Sequence, residues 1–167
     1  MPDPLAALSI YAEVSVGLVG FSGIVIAFGR RSRGELSRLE SRRLSNLFAC
    51  SGFALVLSLL GIAIVQHPTI DVRLLWKCGS AVLLVVGTLW LVHDWWTIHR
   101  LEAEEKASIN RYILYPFNFV AVLCVLLLLA NVFVMAQAWP LFLGLAYLIA
   151  FALQQFILLI RTGYGSE

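Results

Sequence analysis

Charge is what this chain has least of: Asp, Glu, Lys and Arg make up 13% of its 167 residues, against 60% hydrophobic side chains. Mean hydropathy stands at +0.88. A water-soluble domain carries roughly a quarter of its residues as charges, so this balance excludes one, and because nearly all the basic residues fall on one side of the expected membrane, charge here sets topology rather than nucleic-acid binding. Cysteine is scarce and scattered. Cys50, Cys78 and Cys124 sit in apolar runs with neither a CxxC pair nor a disulfide framework. His67, His93 and His99 form no i,i+4 pair, so no metal, haem or other cofactor is expected. No HExxH, GxSxG, P-loop or GxGxxG occurs, and no paired aspartates sit at matching depth for intramembrane proteolysis. The chain is not expected to be an enzyme. No period of 20 to 50 residues recurs and the halves do not match, which argues against an inverted-repeat transporter.

What the chain does have is long apolar runs. A span of hydrocarbon needs about 20 apolar residues, and five such stretches fit: about 5–29, 44–66, 78–98, 112–137 and 141–160. The expectation is a single all-α domain, a polytopic transmembrane bundle. The loop RRSRGELSRLESRRLSN holds six arginines, Arg30, Arg31, Arg33, Arg38, Arg42 and Arg43, against two glutamates. By the positive-inside rule this loop is cytoplasmic and touches anionic headgroups, with the N-terminus outside and the C-terminus inside. Ten of the twelve Lys and Arg then lie inside, and only Arg73 and Lys77 outside.

Gly34 breaks the first helix, and Ser37 to Glu40 reads as a capping box from which a second helix runs to Gln66. That length exceeds the hydrocarbon thickness, so residues 37–43 form a cytoplasmic extension. A matching extension over 99–106 carries Glu102, Glu104 and Glu105, which are positioned to pair with Arg38, Arg42 and Arg43. Pro68 ends the second helix. Trp76 with Lys77, and Trp95 with Trp96, read as interfacial anchors. Asn118 and Asn131 are the polar points of the fourth span, and AQAWP is a tight turn into the fifth.

The first span carries a message on one face. At 100° per residue Ser9, Glu13, Gly17, Gly20 and Ala27 share a stripe, with Gly23 at its margin. Small residues in lipid mark a face that packs closely on another helix, so the span is expected to be buried. Glu13 lies roughly 12 Å below the outer end of its helix. A carboxylate there must be protonated, paired or wetted. Gly87, Trp90, Asp94 and Thr97 form a second stripe, with Asp94 shallower than Glu13.

The stretch AEVSVGLVGFSGIVIAFGRR resembles the opening of a group of small, uncharacterised bacterial inner-membrane proteins. The resemblance implies a multi-pass inner-membrane location and no activity. Two roles are open to such a chain. One is a homo-oligomeric, ion-conducting or proton-responsive assembly with the first helix central and Glu13, Ser9 and Asp94 on its polar path. The other is an accessory or scaffold subunit docking into a larger membrane complex through the small-residue face.

Overall fold

The computed structural model describes residues 3–33, 38–67, 69, 71–100 and 111–164, apart from the side chains at 25–33, 111–114 and 162–164. The described residues are all-helical: α1 Pro4–Arg33, α2 Arg38–Val65, α3 Val72–His99, α4 Arg111–Ala130 and α5 Ala138–Tyr164, with a π-helical turn at Asn131–Met135. All five helices are long and apolar enough to cross a membrane. The chain is therefore an integral, multi-pass membrane protein by length and composition. Gly34, Ser37, Pro68 and the whole glutamate-rich extension over 101–106 lie outside the described residues.

Contacts sort the chain into two compact units, Met1–Gln66 with Leu148–Glu167, and His67–Tyr147. In the first unit α1 packs on α2. Asp3 starts α1 by accepting the Leu5 N–H at 3.0 Å, and Pro4 takes the first helical position, where its missing N–H costs nothing. The buried side of α1 is Leu8, Ala12, Ser15 and Ser22. That of α2 includes Leu47, Cys50, Ser51, Ala54, Ser58 and Gly61. Both follow steps of three and four, the spacing of a close antiparallel seam. Leu8 fills the room left by Gly61, where an added Cβ would stand 3.0 Å from Leu8 Cδ1.

Serine serves this seam because it is small and can satisfy itself. Ser15 Oγ donates to Tyr11 O at 2.7 Å, Ser51 Oγ to Leu47 O at 2.6 Å, and Ser22 Oγ to Leu18 O. Each of these three hydroxyls is returned to its own helix, so it enters the interior without a partner across the seam, whereas the buried Ser58 Oγ has no partner among the described residues.

The second unit is built round one asparagine. Asn131 is fully buried; its Nδ2 donates to Ser80 Oγ at 2.8 Å and to Gln137 O at 2.9 Å, while Oδ1 accepts the Gln137 N–H at 2.9 Å. One side chain thereby closes the turn from α4 to α5 and ties it to α3. The backbone pays with Ala136, held at φ 51°, whose N–H reaches Asn131 O at 3.0 Å. Around this hub pack Leu75, Trp76 and Leu83 from α3, Ala121 and Leu128 from α4, and Leu141 and Leu145 from α5.

Two expectations change here. Trp76 is no interfacial anchor: it is buried, with its ring edge-on to Phe142 at 5.8 Å between centroids. The third helix begins at Val72 rather than near Cys78, because Asp71 caps it by accepting the Arg73 N–H at 2.9 Å.

Candidate functional site

The stripe of α1 singled out by its glycines is left uncovered by the described residues. Glu13, Gly20 and Gly23 are exposed, and Ser9 and Gly17 are half-buried. A Cβ added at Gly17, Gly20 or Gly23 would meet nothing within 4 Å. Helical geometry explains the difference: the seam residues Leu8, Ala12, Ser15 and Ser22 lie about 130° round the helix from Glu13 and Gly20. The helix is packed, but on its serine side. No hydrogen bond or ion pair reaches Glu13 among the described residues. The side chains of Ala27, Arg30, Arg31 and Arg33 lie outside the described ones.

Such a face is narrow and polar in a solvent that is neither. Glycines remove side-chain bulk along two turns, and the exposed Val16 and Ile24 stand on the same side, one turn before and one turn after Gly20. A carboxylate one to two turns toward the helix start is a strong acceptor with no donor in place among the described residues. Lipid supplies none. The arrangement can hold a cation or proton, or accept hydrogen bonds from a hydroxyl, amide or basic group on another helix.

Asp94, the other predicted carboxylate, belongs to the second unit, is half-buried and is engaged by a partner. It stands near an aromatic and basic end of α3. There Trp95 and Trp96 are exposed, as an interface requires, with the Arg100 guanidinium 3.3 Å above the Trp96 ring centroid and His99 stacked 4.6 Å from Trp95. Trp90 Nε1, one turn before Asp94, is buried without an acceptor among the described residues.

At the arginine-rich end the three arginines of α2 part company. Arg38 is exposed, Arg42 half-buried and engaged, and Arg43 only 8% exposed. Expected on the surface among headgroups, Arg43 instead turns into the first unit, where Nη1 donates to the Leu158 carbonyl of α5 at 3.3 Å. Asn46 and Gln155 are buried at the same end. The signal was present in the sequence, since Arg43 shares the 43, 47, 50, 54 face with Leu47, Cys50 and Ala54. The glutamates expected to pair with it lie outside the described residues.

No group of three or more His, Cys, Asp or Glu that would hold a metal occurs among the described residues. The three cysteines are free thiols. No family model, curated protein or solved structure matches the chain, so the open face of α1 and the buried end of α2 carry what its chemistry says about its role.

Proposed function

We propose that this protein works as a homo-oligomer whose copies meet along the open face of α1, with Glu13 lining a polar, cation-selective or proton-responsive path. One observation carries the reading: Glu13 is exposed on a membrane span, on the same face as glycines where an added Cβ would meet nothing within 4 Å among the described residues. A carboxylate on that face needs water or another protein. Rings of carboxylates are a known way to select cations. On this reading the N-terminus is outside and the arginine-rich ends are cytoplasmic, as the arginine bias supports, and the membrane is the bacterial inner membrane that the resemblance of the first span implies.

The glycines themselves favour a second reading, an accessory subunit that docks the same face against a helix of a larger complex, since small residues let backbones approach. Flux through purified, reconstituted protein separates the two. On the first reading the wild type conducts, and Glu13→Gln keeps the particle mass while changing flux or its pH dependence. Glu13→Leu mainly blocks conduction on that reading, whereas in a packed interface it strands the partner's polar group at a cost of about 1 to 3 kcal/mol. A silent wild type, together with a Glu13→Leu variant that loses a co-purifying protein, would leave only the accessory role. Thr69→Cys, in a background without the native cysteines, labels from outside intact cells if the orientation holds and only after permeabilisation if it is reversed.

A further inference from the structure

Hydroxyls inside these spans mostly bond to their own helix. Ser15, Ser22, Ser51, Thr88 and Thr97 each donate to the carbonyl four residues back. Ser9 does not: it stands half-buried in the first span and makes no hydrogen bond among the described residues. Glu13 follows on the same face, about 40° round the helix and about 6 Å further along it. The two do not bond to each other within the chain. One turn of α1 thus presents a donor and an acceptor, neither engaged among the described residues.

A face that carries a carboxylate does not meet a copy of itself on that group alone, because like charges brought together repel. It needs a donor, and Ser9 is the one beside Glu13. Side chains on a helix lean toward its start, so the Glu13 carboxylate rises from its own Cα toward the level of Ser9. Copies inserted alike in one membrane run parallel, which sets Ser9 of every copy at one height. At Gly17 and Gly20, on the turns below, an added Cβ would meet nothing within 4 Å, which leaves room for a second backbone to come close.

We propose that Ser9 of each copy donates to Glu13 of its neighbour, so that the polar site of the assembly is completed by a residue from the next chain. The contact rests on the homo-oligomeric reading and adds to it a donor and a level, parallel register. An O–H donating to a carboxylate makes a charge-assisted bond. Ser9 is then a positioning residue, which holds each carboxylate at the boundary between two copies.

The test mixes copies. Two forms of the full chain with different affinity tags are reconstituted together in vesicles of neutral phospholipid, and mixed particles are captured on one tag and counted by the other. Ser9→Ala mixed with Glu13→Ala restores a contact that neither variant makes with itself. Mixed particles then exceed random pairing by about fivefold, between the average and the largest values for hydrogen bonds between membrane helices. Wild type mixed with the Ser9→Ala, Glu13→Ala double variant makes no such contact, and mixed particles fall below random by about the same factor. Ser9→Thr, which keeps the hydroxyl, pairs with wild type at random.

A bond closed within each chain gives random pairing in both of the first two mixtures, which overturns the contact and leaves the oligomer standing. A wild type that never self-associates overturns the oligomer and the contact with it. If Glu13→Ala does not fold, Glu13→Gln replaces it against Ser9→Ala; the excess expected is about twofold, because the neutral bond it keeps is about half as strong, and random pairing again overturns the contact. Loss of a different, co-purifying protein on Ser9→Ala would assign the hydroxyl to that partner and overturn the contact between copies.

Discussion

Gly20 and Gly144 are the same residue in opposite circumstances. An added Cβ at Gly144 would stand 2.5 Å from Leu83 Cδ2 and 3.5 Å from Leu128 Cδ1, inside the core of the second unit, whereas one at Gly20 would meet nothing within 4 Å. Both glycines lie on helices that cross a membrane. In water an exposed glycine on a helix asks for no explanation, but in lipid the hydrophobic effect does not distinguish inside from outside, and thin places are where helices approach. At Gly144 the approaching helix belongs to the same chain. On the proposed reading the helix that approaches Gly20 comes from another chain, and the carboxylate of Glu13 on the same face selects a polar one.

The comparison is broken most sharply by filling both sites with the same bulk. Gly144→Ile overpacks the α3–α5 contact and is expected to destabilise the fold by about 3 kcal/mol, measured by denaturant unfolding in micelles. Gly20→Ile leaves that stability within about 0.5 kcal/mol while abolishing self-association, read from particle mass. Equal loss of stability in the two variants would mean that the open face of α1 is covered within the chain. A smaller effect is expected at the hub of the second unit. Asn131→Leu strands Ser80 Oγ and both backbone groups of Gln137, and costs about 2 kcal/mol with no change in assembly, because the hub faces inward. Asn131→Leu that dissociates the oligomer would show the two faces to be coupled. Smallest is Ala136→Gly, where relief of the left-handed backbone at φ 51° stabilises by about 0.5 to 1 kcal/mol. Loss of stability there would show that the turn is not held in that conformation.

The five spans were legible because hydropathy and length alone define them. The run of α2 was legible too, as no residue from Arg38 to Val65 breaks a helix. What could not be read was which side of α1 faces in. Two small stripes compete on it, Ser9–Glu13–Gly17–Gly20 and Leu8–Ala12–Ser15–Ser22, and period analysis gives both the same standing. The glycines drew attention because glycine is the thinnest residue. Serine won inside because its hydroxyl folds back onto its own carbonyl, as Ser15 does on Tyr11, and because the α2 seam repeats the pattern at Leu47, Ser51, Ala54 and Ser58. Matching the two patterns against each other would have found it. Asn131 could be seen as a polar point but not as a hub, since its partners lie 51 residues back and six residues on. Asp71 was a readable cap that a search for apolar runs passes over.

The claim that matters most is that another protein covers the Glu13 side of α1, and Gly20 and Phe21 test it as neighbours. Both are exposed, Phe21 at 65%, and they point about 100° apart. In a background lacking Cys50, Cys78 and Cys124, Gly20→Cys and Phe21→Cys would be treated with a bifunctional thiol reagent in native membranes. A face shared by two copies predicts a cross-linked dimer from Gly20→Cys and almost none from Phe21→Cys, which faces lipid. Linking to the same extent at both positions, or free labelling of Gly20→Cys without any dimer, would contradict it.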